Sequence, residues 1–172
     1  MTDALKTFLT DLDLDIRAQG DWGQVADYIP ELGRIDPAQF GIAVALPGGG
    51  MVSAGQARQR LSIQSVSKVF SLACVLGQIG EQIWTRVGRE PSGQRFDSIL
   101  ALEHENGRPR NPFINAGALV TTDELLTGRA PKDTLAEILG FLRAAAEDDD
   151  IHIDKAVARS EAATGHRNAA LA

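Results

Sequence analysis

The fold of this chain follows from one segment, Ile63-Gln64-Ser65-Val66-Ser67-Lys68-Val69-Phe70, which places a Ser-x-x-Lys at the start of an apolar run. We predict a helix over residues 65 to about 78, on which Ser65 and Lys68 share one face. A lysine amine near a serine hydroxyl can take its proton and make it a nucleophile. Free backbone N–H groups at the helix N-terminus can hold a developing oxyanion. The motif predicts a serine-lysine acyl-transfer enzyme; the alternative is an exposed serine and lysine on a surface helix.

Length and composition are those of one compact domain or of two small lobes. Of the 172 residues, 44% are hydrophobic, which is enough for a sizeable core. The 17 basic and 23 acidic residues give a net charge of −6, which argues against a nucleic-acid or anionic-membrane partner. The single Cys74 excludes an internal disulfide and fits a buried thiol in a reducing compartment. No apolar run reaches transmembrane length and no signal peptide is recognisable, so we expect a cytoplasmic protein.

Strand signals occur only in the first third of the chain. Residues 40–46 and 51–54 are rich in strand formers and flank the turn Pro47-Gly48-Gly49-Gly50, which predicts a β-hairpin. Residues 62–64 predict a third extended piece that leads into the Ser65 helix. A sheet of two or three strands is rarely stable alone and leaves strand edges open.

Helical patterns occupy most of the remaining sequence. Apolar residues recur at helical spacing over residues 3–18, and residues 20–30 then form a loop with Trp22 and Tyr28. Asp36-Pro37 opens a short turn. Further helices are predicted over residues 81–87, 115–126, 132–146 and 153–163. We therefore divide the chain into an N-terminal helix (1–20), a loop and strand region (21–64) and a helical lobe (65–172).

Five segments together resemble the serine-dependent glutaminases, a family that shares the fold type of the serine β-lactamases. The segments are 25–32 (VADYIPEL), 63–70 (IQSVSKVF), 87–93 (VGREPSG), 110–118 (RNPFINAGA) and 164–168 (TGHRN). They occur in the order that the family shows and cover about residues 20–172. The resemblance implies an α/β (α+β) fold of the β-lactamase/transpeptidase type, with a small N-terminal antiparallel sheet and a mostly helical lobe.

The resemblance also assigns chemistry to the Ser-x-x-Lys motif. Ser65 would attack the side-chain amide carbon of L-glutamine, expel ammonia and leave a γ-glutamyl ester that water hydrolyses to glutamate. Lys68 would remove the Ser65 proton, for which its pKa must fall through desolvation or a nearby cation. Ser67 is the competing nucleophile, although adjacent helical residues do not face each other. The family uses neither a metal nor an organic cofactor.

The substrate contacts implied by the resemblance are Tyr28, Asn115, Glu161 and Asn168, together with Ser65. Glu161 would pair with the α-ammonium of glutamine, and Asn168 would donate to its α-carboxylate. Each assignment has a structural alternative: loop packing for the tyrosine, helix capping for Asn115 and simple surface polarity for the other two. Gln64 would orient the Ser65 turn without reacting.

Two other interpretations stay open from the sequence. One is a different serine acyl enzyme, a β-lactamase or peptidase, but the Ser-Asp-Asn and Lys-Thr-Gly strings of those families do not occur. The other is a truncated, non-catalytic chain that binds partner subunits, because the sequence stops at Ala172 without a helix C-cap. Family members run to about three hundred residues and assemble as homodimers or homotetramers. We therefore expect residues 1–172 to be a partial catalytic domain that alone is inactive and poorly folded, with Lys68 solvated and charged.

Overall fold

The structure is a computed structural model that describes residues 2–20 and 23–172. The predicted loop position Trp22 lies outside the described residues. Seven α-helices and one hairpin are described in the two ranges. In chain order they are α1 (Thr2–Gln19), β1 (Gly41–Ala45), β2 (Met51–Gly55), α2 (Ser67–Ile79), α3 (Ile99–His104), α4 (Asn115–Leu126), α5 (Pro131–Ala146), α6 (Lys155–Thr164) and α7 (His166–Leu171). No helix within the described ranges is long and apolar enough to cross a membrane.

The predicted hairpin is confirmed. β1 and β2 pair antiparallel, with Gly41 opposite Gly55 and Ala45 opposite Met51. The connection carries Gly48, Gly49 and Gly50 at φ values of +91°, +97° and +91°, which only glycine adopts without strain. The prediction of a third extended piece over residues 62–64 is wrong. The chain between the hairpin and α2 adds no strand to the sheet and forms a short 3₁₀ turn, Gln64–Val66.

Helix α1 packs against the hairpin, mainly against β2. Leu9 on its inner face is buried to 2% exposure. The Arg17 guanidinium donates hydrogen bonds to the carbonyl oxygens of Ala38 and Phe40, both at 3.1 Å, and pairs with Asp13 at 3.0 Å. These bonds tie the end of α1 to the chain that enters β1. The helix predicted over residues 3–18 is confirmed.

The core of the helical lobe lies between α2, α4 and α5. Its buried members are Cys74, Val75, Ile83, Val87 and Leu125. Burial raises the pKa of the Cys74 thiol, as expected for an apolar environment. Through Cys74 and Val75 this core holds α2, the helix that carries Lys68 in its first turn.

Two details of the helical lobe differ from the sequence prediction. The helix expected over residues 81–87 is a 3₁₀ helix, Gly80–Thr85, because Gly80 turns the chain at φ +57° directly after α2. Helix α3 was not predicted. It is six residues long and begins at the cap Ser98, which accepts a hydrogen bond from the Ala101 N–H group.

Candidate active site

The Ser-x-x-Lys motif lies at the junction of a 3₁₀ turn, Gln64–Val66, and α2. Ser65 is therefore in the turn that precedes the α-helix, and the prediction that the helix starts at this residue is wrong. Gln64 has φ +44°, a left-handed conformation that is uncommon for a residue with a side chain. Such strain is characteristic of functional sites, where a backbone turn presents the next side chain.

The 3₁₀ turn uses some of the backbone donors that we expected to be free. The N–H of Val66 donates to the Ile63 carbonyl at 2.9 Å, and the N–H of Ser67 donates to the Gln64 and Ser65 carbonyls. These two groups are already paired and cannot hold an oxyanion without breaking the turn. The expectation of free donors is therefore wrong for Val66 and Ser67.

The two serines of the motif differ in availability. The Ser67 hydroxyl donates to the Gln64 carbonyl oxygen at 2.7 Å, so its proton is already committed to the backbone. Ser65 is exposed, and its hydroxyl makes no side-chain hydrogen bond within the described part of the chain. Of the two hydroxyls, only that of Ser65 is ready to meet a ligand. It is not hydrogen-bonded to Lys68.

The Lys68 amine reaches from the first turn of α2 to the start of α4. Its Nζ donates to the Phe113 carbonyl oxygen at 3.0 Å and to the Asn115 Oδ1 atom at 2.7 Å. It also lies 6.0 Å from the centroid of the Phe96 ring. The side chain is half-buried, and two acceptors fix the position of its nitrogen.

Burial lowers the pKa of Lys68 below its ordinary value, and the charge of Glu161 opposes this shift more weakly. Lys68 is therefore less solvated than we expected for this chain, and its charge at neutral pH stays a prediction. A neutral amine has two N–H donors and one lone pair. Because the donors can be used by Phe113 and Asn115, the lone pair is left for a third direction, in which it can accept a proton.

Two of the predicted substrate residues meet directly. The Asn115 Nδ2 group donates to the Asn168 Oδ1 atom at 2.7 Å, while the Asn115 Oδ1 atom accepts from Lys68. The amide of Asn115 is thus oriented from both ends. Asn111 holds the loop before α4 by accepting from the N–H groups of Phe113 and Ile114, at 3.0 and 3.1 Å. Asn115 therefore does not act as the side-chain cap, which was its structural alternative.

Glu161 and Tyr28 lie outside this hydrogen-bonded chain. Glu161, on α6, is exposed and close enough to influence Lys68 by its charge. Tyr28 is 65% exposed in a turn of the N-terminal region. No hydrogen bond or ring contact between Tyr28 and the other predicted site residues is present in the described ranges. The structure thus brings together Lys68, Asn115 and Asn168 but leaves Tyr28 apart.

Three contributors to the site were missed by sequence reasoning. Phe113 acts through its backbone carbonyl, which no side-chain pattern reveals. Phe96 contributes its ring and also its carbonyl oxygen, which accepts the Asn115 N–H at 2.8 Å. Asp97 is buried beside them and bonds Arg167, the neighbour of Asn168. No cluster of three potential metal-ligating side chains occurs among the described residues.

Fold and site together define a class of protein. These are β-lactamase-like chains with a small antiparallel sheet, which carry a Ser-x-x-Lys where a central helix begins. A family model described as Glutaminase matches residues 23–172. The chain therefore belongs to the glutaminase family, and the predicted family and fold class are confirmed.

The relatives show how much of a glutaminase this chain represents. It is 54% identical over 164 residues to a glutaminase of Mesorhizobium japonicum and 53% identical over 168 residues to one of Rhizobium etli. These alignments cover 95% and 98% of this chain but 52% and 54% of the relatives. The chain thus spans about half the length of the curated relatives it matches.

A solved structure gives the same relation. The probable glutaminase from Bacillus subtilis complexed with 6-diazo-5-oxo-L-norleucine is 32% identical and superimposes with a TM-score of 0.79. The match covers 96% of this chain and 49% of that chain.

Proposed function

We propose that this chain supplies the nucleophile and the general base of a glutaminase that hydrolyses L-glutamine to L-glutamate and ammonia. The observation that carries the proposal is the Lys68 amine, which burial makes less basic and which two acceptors hold in one place. The exposed Ser65 hydroxyl lies three residues before it on the chain. Family membership supports glutamine as the substrate.

The proposed reaction has two steps. Neutral Lys68 takes the proton of Ser65 as Oγ attacks the side-chain amide carbon of glutamine. The C–N bond then breaks, the proton passes to the leaving nitrogen, and ammonia departs from a γ-glutamyl ester of Ser65. Water next attacks the ester while Lys68 accepts its proton. The ester bond breaks, the proton returns to the serine oxygen, and glutamate leaves.

The head group of glutamine would be bound by side chains around Lys68. Glu161 offers a carboxylate to the α-ammonium, and the amides of Asn115 and Asn168 offer donors to the α-carboxylate. The hydrogen bond between the two asparagines supports their assignment to one site. Tyr28 would complete this set by contacting the substrate through its hydroxyl.

The wider assignment follows from the same family. We propose that residues 1–172 are part of a glutaminase catalytic domain, and that the assembled protein is a cytoplasmic homodimer or homotetramer. The net charge of −6 favours a small-molecule substrate over a nucleic acid or an anionic membrane as partner.

The nucleophile can be tested with 6-diazo-5-oxo-L-norleucine, the compound bound in the Bacillus structure. Trypsin should release residues 61–68 as one peptide that contains Ser62, Ser65 and Ser67. We expect tandem mass spectrometry to place the adduct on Ser65. Ser67→Ala should still be labelled and Ser65→Ala should not. Labelling on Ser67 or on Cys74 would contradict the assignment.

Turnover is best tested in two proteins. One is the 172-residue chain, and the other is a hybrid in which this chain replaces the aligned segment of the Rhizobium etli glutaminase. We expect the hybrid to release ammonia from glutamine and its Ser65→Ala variant to lose activity by many orders of magnitude. A well-folded hybrid without activity would refute the proposed function and favour a non-catalytic role.

A further inference from the structure

Asp97 is a buried carboxylate that the mechanism does not use. It is 8% exposed and accepts hydrogen bonds from two arginines on different parts of the chain. The Oδ1 atom accepts from Arg95 Nε at 3.1 Å, and the Oδ2 atom accepts from Arg167 Nη1 at 3.2 Å. Both arginine side chains are mostly exposed, so the carboxylate is the fixed member of the cluster.

The segment that contains Asp97 also touches the active site. The residue before it, Phe96, accepts the backbone N–H of Asn115 at 2.8 Å and places its ring 6.0 Å from the Lys68 amine. The position of Asp97 is thus set by the same segment that holds the start of α4. A group bonded to Asp97 is consequently placed relative to Lys68 and Asn115.

Helix α7 is the element whose position a bond to Asp97 can fix. It has six residues, and none of its described residues is buried. Helix α7 lies against α3 and α4 with Asn168 and Leu171 only half-buried, so polar contacts add to limited packing in fixing its position. Arg167 and Asn168 are neighbours on α7; the first bonds Asp97 and the second bonds Asn115.

We propose that Asp97 is a positioning residue, whose ion pair with Arg167 holds α7 so that Asn168 turns the Asn115 amide toward Lys68. The inference rests on the proposed function for the meaning of this placement, but the placement itself can be tested without substrate. Without the ion pair between Arg167 and Asp97, we expect α7 to move away and the hydrogen bond between Asn115 and Asn168 to open. The Asn115 amide can then rotate, and its oxygen no longer has to face Lys68.

Two arginine variants separate this role from simple charge neutralisation. Arg167→Ala removes the link between Asp97 and α7, whereas Arg95→Ala removes a partner of the same carboxylate and leaves that link intact. Both side chains are mostly exposed, at 64% and 75%, so neither variant should prevent folding. Arg167→Lys, which keeps a positive charge beside Asp97, should behave more like the parent protein than like Arg167→Ala.

The first measurement uses the hybrid enzyme without substrate and follows, by NMR, the side-chain amides of the four asparagines that this chain contributes. In Arg167→Ala we expect hydrogen exchange of the Asn115 amide to rise about tenfold or more, because its bond to Asn168 opens. In Arg95→Ala we expect the exchange rate to stay near that of the parent chain. Equal rates in the two variants would overturn the proposal.

The second measurement uses the hybrid enzyme described above. Misplacement of a binding group by about 1 Å can lower the rate up to a hundredfold, so Arg167→Ala should reduce kcat/KM for glutamine about tenfold or more. Arg95→Ala should change it less than about twofold. Similar losses in both variants would show that charge, not the position of α7, matters. A hybrid that is inactive in every form would refute the proposed function, and the amide exchange would still decide the role of Asp97.

Discussion

Gly117 on α4 allows the loop that supports Lys68 to lie against this helix. A Cβ atom at this position would overlap the Asn111 carbonyl oxygen and lie 2.7 Å from its carbonyl carbon and 2.9 Å from the Pro112 Cα atom. All three are backbone atoms, so no side chain can rotate away. For Gly117→Ala, we expect the loop to withdraw by about 1 Å, which also lengthens the hydrogen bond from Lys68 to Phe113.

The size of the effect follows from two opposing contributions. Alanine is favoured over glycine inside a helix by about 1 kcal/mol. Overpacking of a tight contact costs about 1–3 kcal/mol and more where backbone must move. The contact at Gly117 is at the severe end, so we expect the free energy of unfolding to fall by about 2 kcal/mol or more. Urea unfolding of the hybrid enzyme, followed by circular dichroism, measures it.

Gly140 provides the matched control. It lies within α5, and a Cβ there meets no atom of the described residues within 4 Å. Gly140→Ala should therefore raise the free energy of unfolding by up to about 1 kcal/mol, since only the helix propensity acts. If Gly117→Ala proved as stable as Gly140→Ala, the packing argument for the loop would be refuted.

Three further predictions address the N-terminal unit and the charges around the amine. Arg17→Lys should lower the free energy of unfolding by about 1–2 kcal/mol, because lysine cannot replace the guanidinium bonds that tie α1 to the chain entering β1. The control is Arg34→Lys, on a side chain that is 73% exposed, which should change this free energy by less than about 0.5 kcal/mol in the same urea assay. Asn115→Asp places a negative charge beside Lys68 and should raise the pKa of the lysine. Because the reaction needs the neutral amine, the variant hybrid should become active only at higher pH than the parent hybrid. An unchanged pH–rate profile would argue against Lys68 as the base. Glu161→Gln removes a negative charge that raises the pKa of Lys68, so this pKa should fall further in the variant. NMR titration of ¹³C-labelled lysines measures it, and a rise of the pKa would contradict the electrostatic assignment.

The elements that the sequence predicts well are those with a strong local signal. The hairpin follows from strand formers around Pro47-Gly48-Gly49-Gly50, and α4 follows from an apolar run bounded as observed, Asn115–Leu126. The 3₁₀ segments at Gln64–Val66 and Gly80–Thr85 were not predicted as such. Both depend on single backbone turns, at Gln64 and Gly80, whose consequences are decided by packing.

Sequence reasoning indicated side chains that lie together in the candidate site, but not the backbone and ring groups that surround Lys68. The resemblance indicated Lys68, Asn115 and Asn168, and the structure brings these three together. The carbonyl of Phe113 and the ring of Phe96 could not be anticipated, because their role depends on where loops cross and not on residue type. The roles of all the proposed site residues stay predictions that the experiments above decide; these residues are Tyr28, Ser65, Lys68, Asn115, Glu161 and Asn168.

The two influences on Lys68 connect substrate recognition with chemistry. Burial lowers its pKa, and the negative charge of Glu161 raises it. When Glu161 pairs with the α-ammonium of glutamine, as proposed, the pair is neutral and the raising influence disappears. Lys68 would then lose its proton more readily with substrate bound than in the free protein, and Ser65 would be activated only when an amide is present to attack. A glutamine analogue without the α-amino group would leave Glu161 charged and Lys68 more strongly protonated. Such an analogue should therefore react slowly even when it saturates the site, so its defect should appear in kcat as well as in KM.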